Sequence, residues 1–129
     1  MLILVVDDDP LAGEMTAAIL EDLGHKTVSA GDGREALKQI ETGAPFDLVV
    51  SDLNMPLMDG LELCRELRHR RAAIPFILLT GDDPQTVDGV EAAIFACMQK
   101  DGSLATRLDA VLRDMKTREA LWVPKRKPR

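Results

Sequence analysis

The chain has 129 residues, 46% hydrophobic and 29% charged, the balance of a single globular domain rather than of a disordered segment. Its net charge is −6, yet residues 116–129 hold six basic residues against one acid, Glu119, which leaves the preceding 115 residues at −11. So acidic a body repels phosphate and argues against direct nucleic-acid binding, and no apolar run approaches the ~20 residues that a membrane span requires.

The apolar run Leu2–Val6 reads as a first strand. No basic residue precedes it and it passes straight into Asp7-Asp8-Asp9, so a secretory signal is not expected. Asp9 before Pro10 predicts a helix cap followed by proline at the first helical position. The helix beyond repeats Leu11, Met15, Ile19 and Leu23 on one face. A strand is predicted over Thr27–Ala30, then a helix carrying Ala36, Leu37 and Ile40. A third strand, Leu48–Val50, leads to Asp52, and a third helix carries Leu63, Cys64 and Leu67. The fourth strand, Ile74–Leu79, ends in Thr80-Gly81. Pro84–Ala93 should be a fourth helix, weakened by Asp88-Gly89. Phe95–Gln99 precedes Lys100 as a fifth strand. The last helix shows Leu104, Leu108, Val111, Leu112 and Met115, with Ser103 as its N-cap, and its pattern fades near Met115. The expected division is a folded domain over 1–117 and a basic tail or truncated linker over 118–129. Cys64 and Cys97 sit in apolar stretches without metal-ligand spacing, as reduced core residues of a cytoplasmic protein do.

Five strands alternating with five helices predict an α/β fold, a doubly wound parallel sheet covered on both faces. In such sheets the working residues gather beyond the carboxyl ends of the strands. Those ends carry Asp7-Asp8-Asp9, Asp52, Thr80-Gly81 and Lys100. Each alone has an ordinary explanation as a cap or a solvated side chain. Together, carboxylates, a hydroxyl and an ammonium on one rim suit phosphoryl transfer to a carboxylate. Crowded carboxylates need a cation, and Mg²⁺ takes oxygen ligands and bridges carboxylate to phosphate. Asp52 would be the nucleophile, with Lys100 and Thr80 meeting the phosphoryl oxygens.

Three stretches carry a resemblance: Ile3-Leu4-Val5-Val6-Asp7-Asp8-Asp9-Pro10, then Asp47-Leu48-Val49-Val50-Ser51-Asp52-Leu53-Asn54-Met55-Pro56-Leu57-Met58-Asp59-Gly60, then Ile77-Leu78-Leu79-Thr80-Gly81. They resemble the receiver domain of bacterial two-component response regulators, over roughly residues 2–115. The resemblance implies a flavodoxin-like sheet in the order 2-1-3-4-5. It implies Asp52 as phosphoacceptor, supplied by a sensor histidine kinase or a histidine phosphotransfer protein. It implies Mg²⁺, with Mn²⁺ as a substitute ion, held by Asp8 directly, by Asp7 mainly through water, by Asp52, and by the backbone carbonyl of Asn54. Thr80 would be the switch hydroxyl, Lys100 the phosphate-pairing lysine, and Gly60 would supply a backbone angle other residues resist. Such a domain catalyses its own phosphoryl transfer and dephosphorylation rather than turning over a substrate. It moves an interaction face toward a downstream protein target or an attached effector domain.

The final third departs from that pattern. Asp101 follows Lys100 where receivers carry proline, and its carboxylate could compete for the ammonium. Cys97 occupies the usual aromatic switch position, Phe95 lies two residues earlier, and Ala93-Ile94 replaces a pair of small residues. Thr80 and Lys100 are closer in sequence than is typical, so the fourth helix should be short or irregular. Two other readings follow. In a haloacid-dehalogenase-like phosphatase, Asp7 would be the nucleophile and Asp9 the acid. In a degenerate receiver, the module would bind a partner without being phosphorylated.

Overall fold

Short runs of Leu, Ile and Val bounded by acidic or turn residues form strands, and the amphipathic stretches between them form the crossover helices. The structure is a computed structural model and describes residues 1–70, 72–84, 94 and 96–121, with side chains described through residue 116. In chain order the elements are β1 (Leu2–Val6), α1 (Pro10–Asp22), β2 (Lys26–Ala30), α2 (Gly33–Glu41), β3 (Leu48–Asp52), α3 (Gly60–His69), β4 (Phe76–Thr80), β5 (Ala96–Gln99) and α4 (Leu104–Leu121). The strands form one parallel sheet in the order β2-β1-β3-β4-β5, as the resemblance implies. Four helices are seen among the described residues. The helix expected over Pro84–Ala93 falls almost entirely on residues 85–93, which lie outside them, as does Phe95.

β1, β3 and β4 are buried nearly throughout, whereas β2 and β5 have partly exposed faces. Central strands of a parallel sheet are covered on both sides and must be apolar on both, which is why these three runs lack alternation. One core contains Leu4, Val49, Phe76, Leu78, Leu63 and Leu67; the other contains Ile3, Val50, Ile77, Leu79, Leu20 and Leu108. Successive apolar residues of β1, β3, β4 and β5 enter opposite cores, as pleated geometry requires, whereas β2 packs into the first core alone.

Two local expectations are corrected. α1 does not bury the face of Leu11 and Met15, which are 66% and 61% exposed. It buries Gly13, Thr16, Ala17 and Leu20 instead. The small residues let the helix lie close to the sheet. β4 begins at Phe76 rather than Ile74, because Pro75 has no N–H to give a ladder; its carbonyl accepts from Val49 N at 3.0 Å. α4 buries its last described side chain at Met115 but stays helical to Leu121, since no Gly or Pro interrupts residues 116–121. No helix among the described residues is long and apolar enough to cross a membrane.

Candidate functional site

Strand parity assembles the site. Val6 is paired with Ser51, so Asp7 and Asp52 continue as neighbours at the ends of β1 and β3. Asp52 is paired with Leu79, and Leu79 with Met98, so Lys100, two residues past Met98, lies on the same side of the sheet as Asp52. The contacts agree. Lys100 Nζ stands 2.9 Å from Asp52 Oδ1 and 3.2 Å from Asp7 Oδ2. Carboxylate oxygens of Asp7, Asp8 and Asp52 all lie within 4.8 Å of one another. Asp7 and Asp52 are buried, while Asp8 is exposed at the mouth.

Local bonds fix each group. Asp9 N donates to Asp7 Oδ1 at 3.0 Å, and Asp7 N donates to Ala30 O at 3.1 Å. The Asp9 carboxylate caps α1, accepting from Leu11 N at 3.0 Å and Ala12 N at 3.4 Å, with Pro10 opening the helix as expected. Ser51 Oγ donates to the carbonyl of Asp52 at 2.9 Å. Thr80 is fully buried; its hydroxyl accepts from Asp82 N at 3.1 Å, and its carbonyl accepts from Lys100 N at 2.7 Å. Asn54 is exposed two residues after Asp52.

The charges strain against one another. Burial raises the Asp52 carboxyl above the usual aspartate range; the hydrogen bond and charge of Lys100 oppose this, and Asp7 and Asp8 add to it. Burial alone would depress the Lys100 ammonium, but its bonds to Asp52 and Asp7 outweigh that and raise it. The lysine therefore stays charged and offsets part of a triple negative cluster. Hard carboxylate oxygens so close together, with one ammonium among them, are a donor set that suits a small divalent cation.

The comparisons with known proteins agree with this geometry. The family model described as "Response regulator receiver domain" matches residues 3–112. The chain belongs to the response regulator receiver family. It is 38% identical over 116 residues to the alkaline phosphatase synthesis transcriptional regulatory protein PhoP of Bacillus subtilis, covering 86% of this chain and 48% of that protein. It is 40% identical over 116 residues to the response regulator MprA of Mycolicibacterium vanbaalenii, covering 86% and 50%. The chain thus spans about half the length of the curated relatives it matches. A response regulator receiver domain protein from Clostridium thermocellum superposes with a TM-score of 0.80 at 25% identity, over 93% of this chain and 97% of that one. The response regulator TrrA from Thermotoga maritima, solved in complex with Mg²⁺-BeF, gives 0.73 at 31% identity, over 85% and 97%.

As a receiver of two-component signalling, the chain has no use for the phosphatase reading, and the Asp9 carboxylate that reading needs is committed to the helix cap. The loop after Asp52 corrects one expectation. A Cβ on Gly60 would stand 2.5 Å from Asp52 O and 2.6 Å from Leu78 Cδ1, so this glycine is required for space, not for an unusual backbone angle. The left-handed residue of the loop is Leu57, with φ 69°. Asp59 and Glu62 form a reciprocal capping box at α3, with Glu62 N to Asp59 Oδ1 2.8 Å and Asp59 N to Glu62 Oε1 3.0 Å, a D-x-x-E spacing visible in the sequence.

The receiver's departures are also placed. Cys97 is half-buried on β5, beside Leu78 and against the first core, and burial raises its thiol. Neither Cys64 nor Cys97 forms a disulfide among the described residues. The Asp101 carboxylate is not on the ammonium: its Oδ1 accepts from Ser103 N at 2.8 Å and Ser103 Oγ at 2.6 Å. Ser103 precedes α4 as expected and its carbonyl accepts from Arg107 N at 3.0 Å, but its hydroxyl donates to Asp101.

Proposed function

We propose that this receiver accepts a phosphoryl group on Asp52 in a reaction that needs Mg²⁺, and that phosphorylation changes a protein-interaction face. The reading is supported by one observation above all: two further carboxylates, Asp7 and Asp8, and one ammonium converge on Asp52, with Lys100 Nζ 2.9 Å from its Oδ1. Asp7, Asp8, Asp52 and the Asn54 carbonyl would hold the metal. When bound, Mg²⁺ offsets the carboxylate charge and lowers the cost of bringing an anionic phosphoryl group among them.

The protein's own groups do the rest. An Asp52 oxygen attacks phosphorus and an acyl phosphate forms as the donor's leaving group departs. The Lys100 ammonium exchanges its carboxylate partner for a phosphoryl oxygen. The Thr80 hydroxyl and the backbone N–H groups near Gly81 meet another, and Gly81 faces open space there. The domain spans 1–117 in this reading, with 118–129 as a basic tail or truncated linker. The donor is a sensor histidine kinase or a histidine phosphotransfer protein, and the readout a protein target or an effector domain elsewhere in the same polypeptide.

Intact-mass measurement with Mg²⁺ and a small-molecule phosphodonor tests this. One phosphate should add to the parent and none to Asp52→Asn. An adduct that persists in Asp52→Asn contradicts the assignment; absence of any adduct in the parent supports the degenerate binding module instead.

A further inference from the structure

The backbone that carries Lys100 is anchored on both sides. Toward the sheet, Lys100 N donates to Thr80 O at 2.7 Å and Gln99 Nε2 donates to Gly81 O at 3.3 Å. Toward α4, a single oxygen, Asp101 Oδ1, takes both Ser103 N at 2.8 Å and Ser103 Oγ at 2.6 Å, and Asp101 O takes Leu104 N at 3.1 Å. Leu104 is buried with Leu108 in the second core, so α4 is held to the sheet by packing where the clasp begins. Asp101 itself is exposed and packs into no core. Its two bonds from Ser103 hold its carboxyl below the usual range, so at neutral pH both are charge-assisted.

A lysine side chain is long and flexible and can meet a carboxylate from many backbone positions. What makes one position reproducible is the path of the chain on either side of it. We propose that Asp101 is a positioning residue for the phosphoryl transfer: its clasp on Ser103 sets how the chain leaves β5, and so where the Lys100 ammonium stands relative to Asp52. The inference rests on Asp52 being the phosphoacceptor. It assigns to Asp101 a task in the reaction although its carboxylate is on neither the Lys100 ammonium nor that ammonium's two partners, Asp52 and Asp7.

The test is the initial rate of phosphate addition, followed by intact mass with saturating Mg²⁺ and a small-molecule phosphodonor. Asp101→Ala should slow it by about 5–10-fold and Ser103→Ala, which removes one of the two bonds, by about 2-fold, in line with the sensitivity of transfer rates to misplacement of a charged group. Asp101→Asn keeps the accepting oxygen and should restore most of the parent rate. In a Lys100→Met background, followed for longer because it is slow, Asp101→Ala should have no further effect, because the residue it places is gone. A purely structural turn would slow both backgrounds alike. A parent that is phosphorylated at Asp52 while Asp101→Ala matches it overturns this inference alone, and so does equal slowing in both backgrounds. A parent that takes no phosphate overturns the phosphoacceptor reading and this inference with it.

Discussion

Replacing Lys100 with methionine keeps the aliphatic stem and removes the ammonium that sits 2.9 Å from Asp52 and 3.2 Å from Asp7. Those two side chains are 8% and 3% exposed, so the carboxylates are left close together with little water to screen them. Removing one partner of a fully buried pair costs roughly 3–5 kcal/mol; the lysine is 25% exposed, so a loss of about 2–3 kcal/mol is expected for the metal-free protein at neutral pH. For a chain of this size that corresponds to a fall in Tm of about 6–12 °C. Two conditions should shrink it. The raised Lys100 pKa means the ammonium's contribution is complete below the ordinary lysine value and fades only as pH rises through the raised one, so it is intact at neutral pH. Asp52, raised by burial, takes a proton early as pH falls, which relieves the repulsion, so variant and parent should converge in mild acid. Added Mg²⁺ should stabilise the variant more than the parent, since the ion replaces the missing positive charge. Urea unfolding at neutral and mildly acidic pH, with and without Mg²⁺, measures all of this. A variant as stable as the parent without metal, or a loss indifferent to both pH and Mg²⁺, would refute the reasoning.

Two further outcomes follow from the loop after the acceptor. Gly60→Ala places a methyl group 2.5 Å from a backbone oxygen that cannot swing aside, and should cost about 2–3 kcal/mol in urea unfolding while also lowering phosphorylation, because that oxygen belongs to Asp52. A cost under about 0.5 kcal/mol would show that the loop simply gives way. Leu57 is 95% exposed with φ 69°, in a three-residue turn closed by Met58 N to Pro56 O at 2.7 Å. Leu57→Gly relieves that backbone and should be neutral or stabilising by up to about 1 kcal/mol, and a clear loss of stability would contradict it.

Much of the fold was legible because three strands are buried on both faces and so read as unbroken apolar runs. The site was legible for a related reason: in a parallel sheet the strand ends share one rim, so Asp7, Asp52 and Lys100 could be brought together before any distance was known. What stayed hidden is tertiary. The buried face of α1 is made of Gly13, Thr16 and Ala17, whose value lies in being small, while the larger Leu11 and Met15 mislead a periodicity argument. Gly60 resembles any turn glycine until Asp52 O and Leu78 are placed against it. Asp101 looked like a competitor for the lysine, because nothing in the sequence shows that Ser103 satisfies it. The helical backbone beyond Met115, the last described buried side chain of α4, follows from local propensity, since no Gly or Pro interrupts residues 116–121.

The most direct measurement of the central claim is the identity of the aspartate that carries phosphate. The protein is phosphorylated with Mg²⁺ and a small-molecule donor, the acyl phosphate is reduced with borohydride, and the modified peptide is mapped by mass spectrometry. The label should sit on Asp52, in the peptide that contains Asn54 and Met55. A label on Asp7, or on an aspartate outside the cluster that Lys100 joins, would contradict the account.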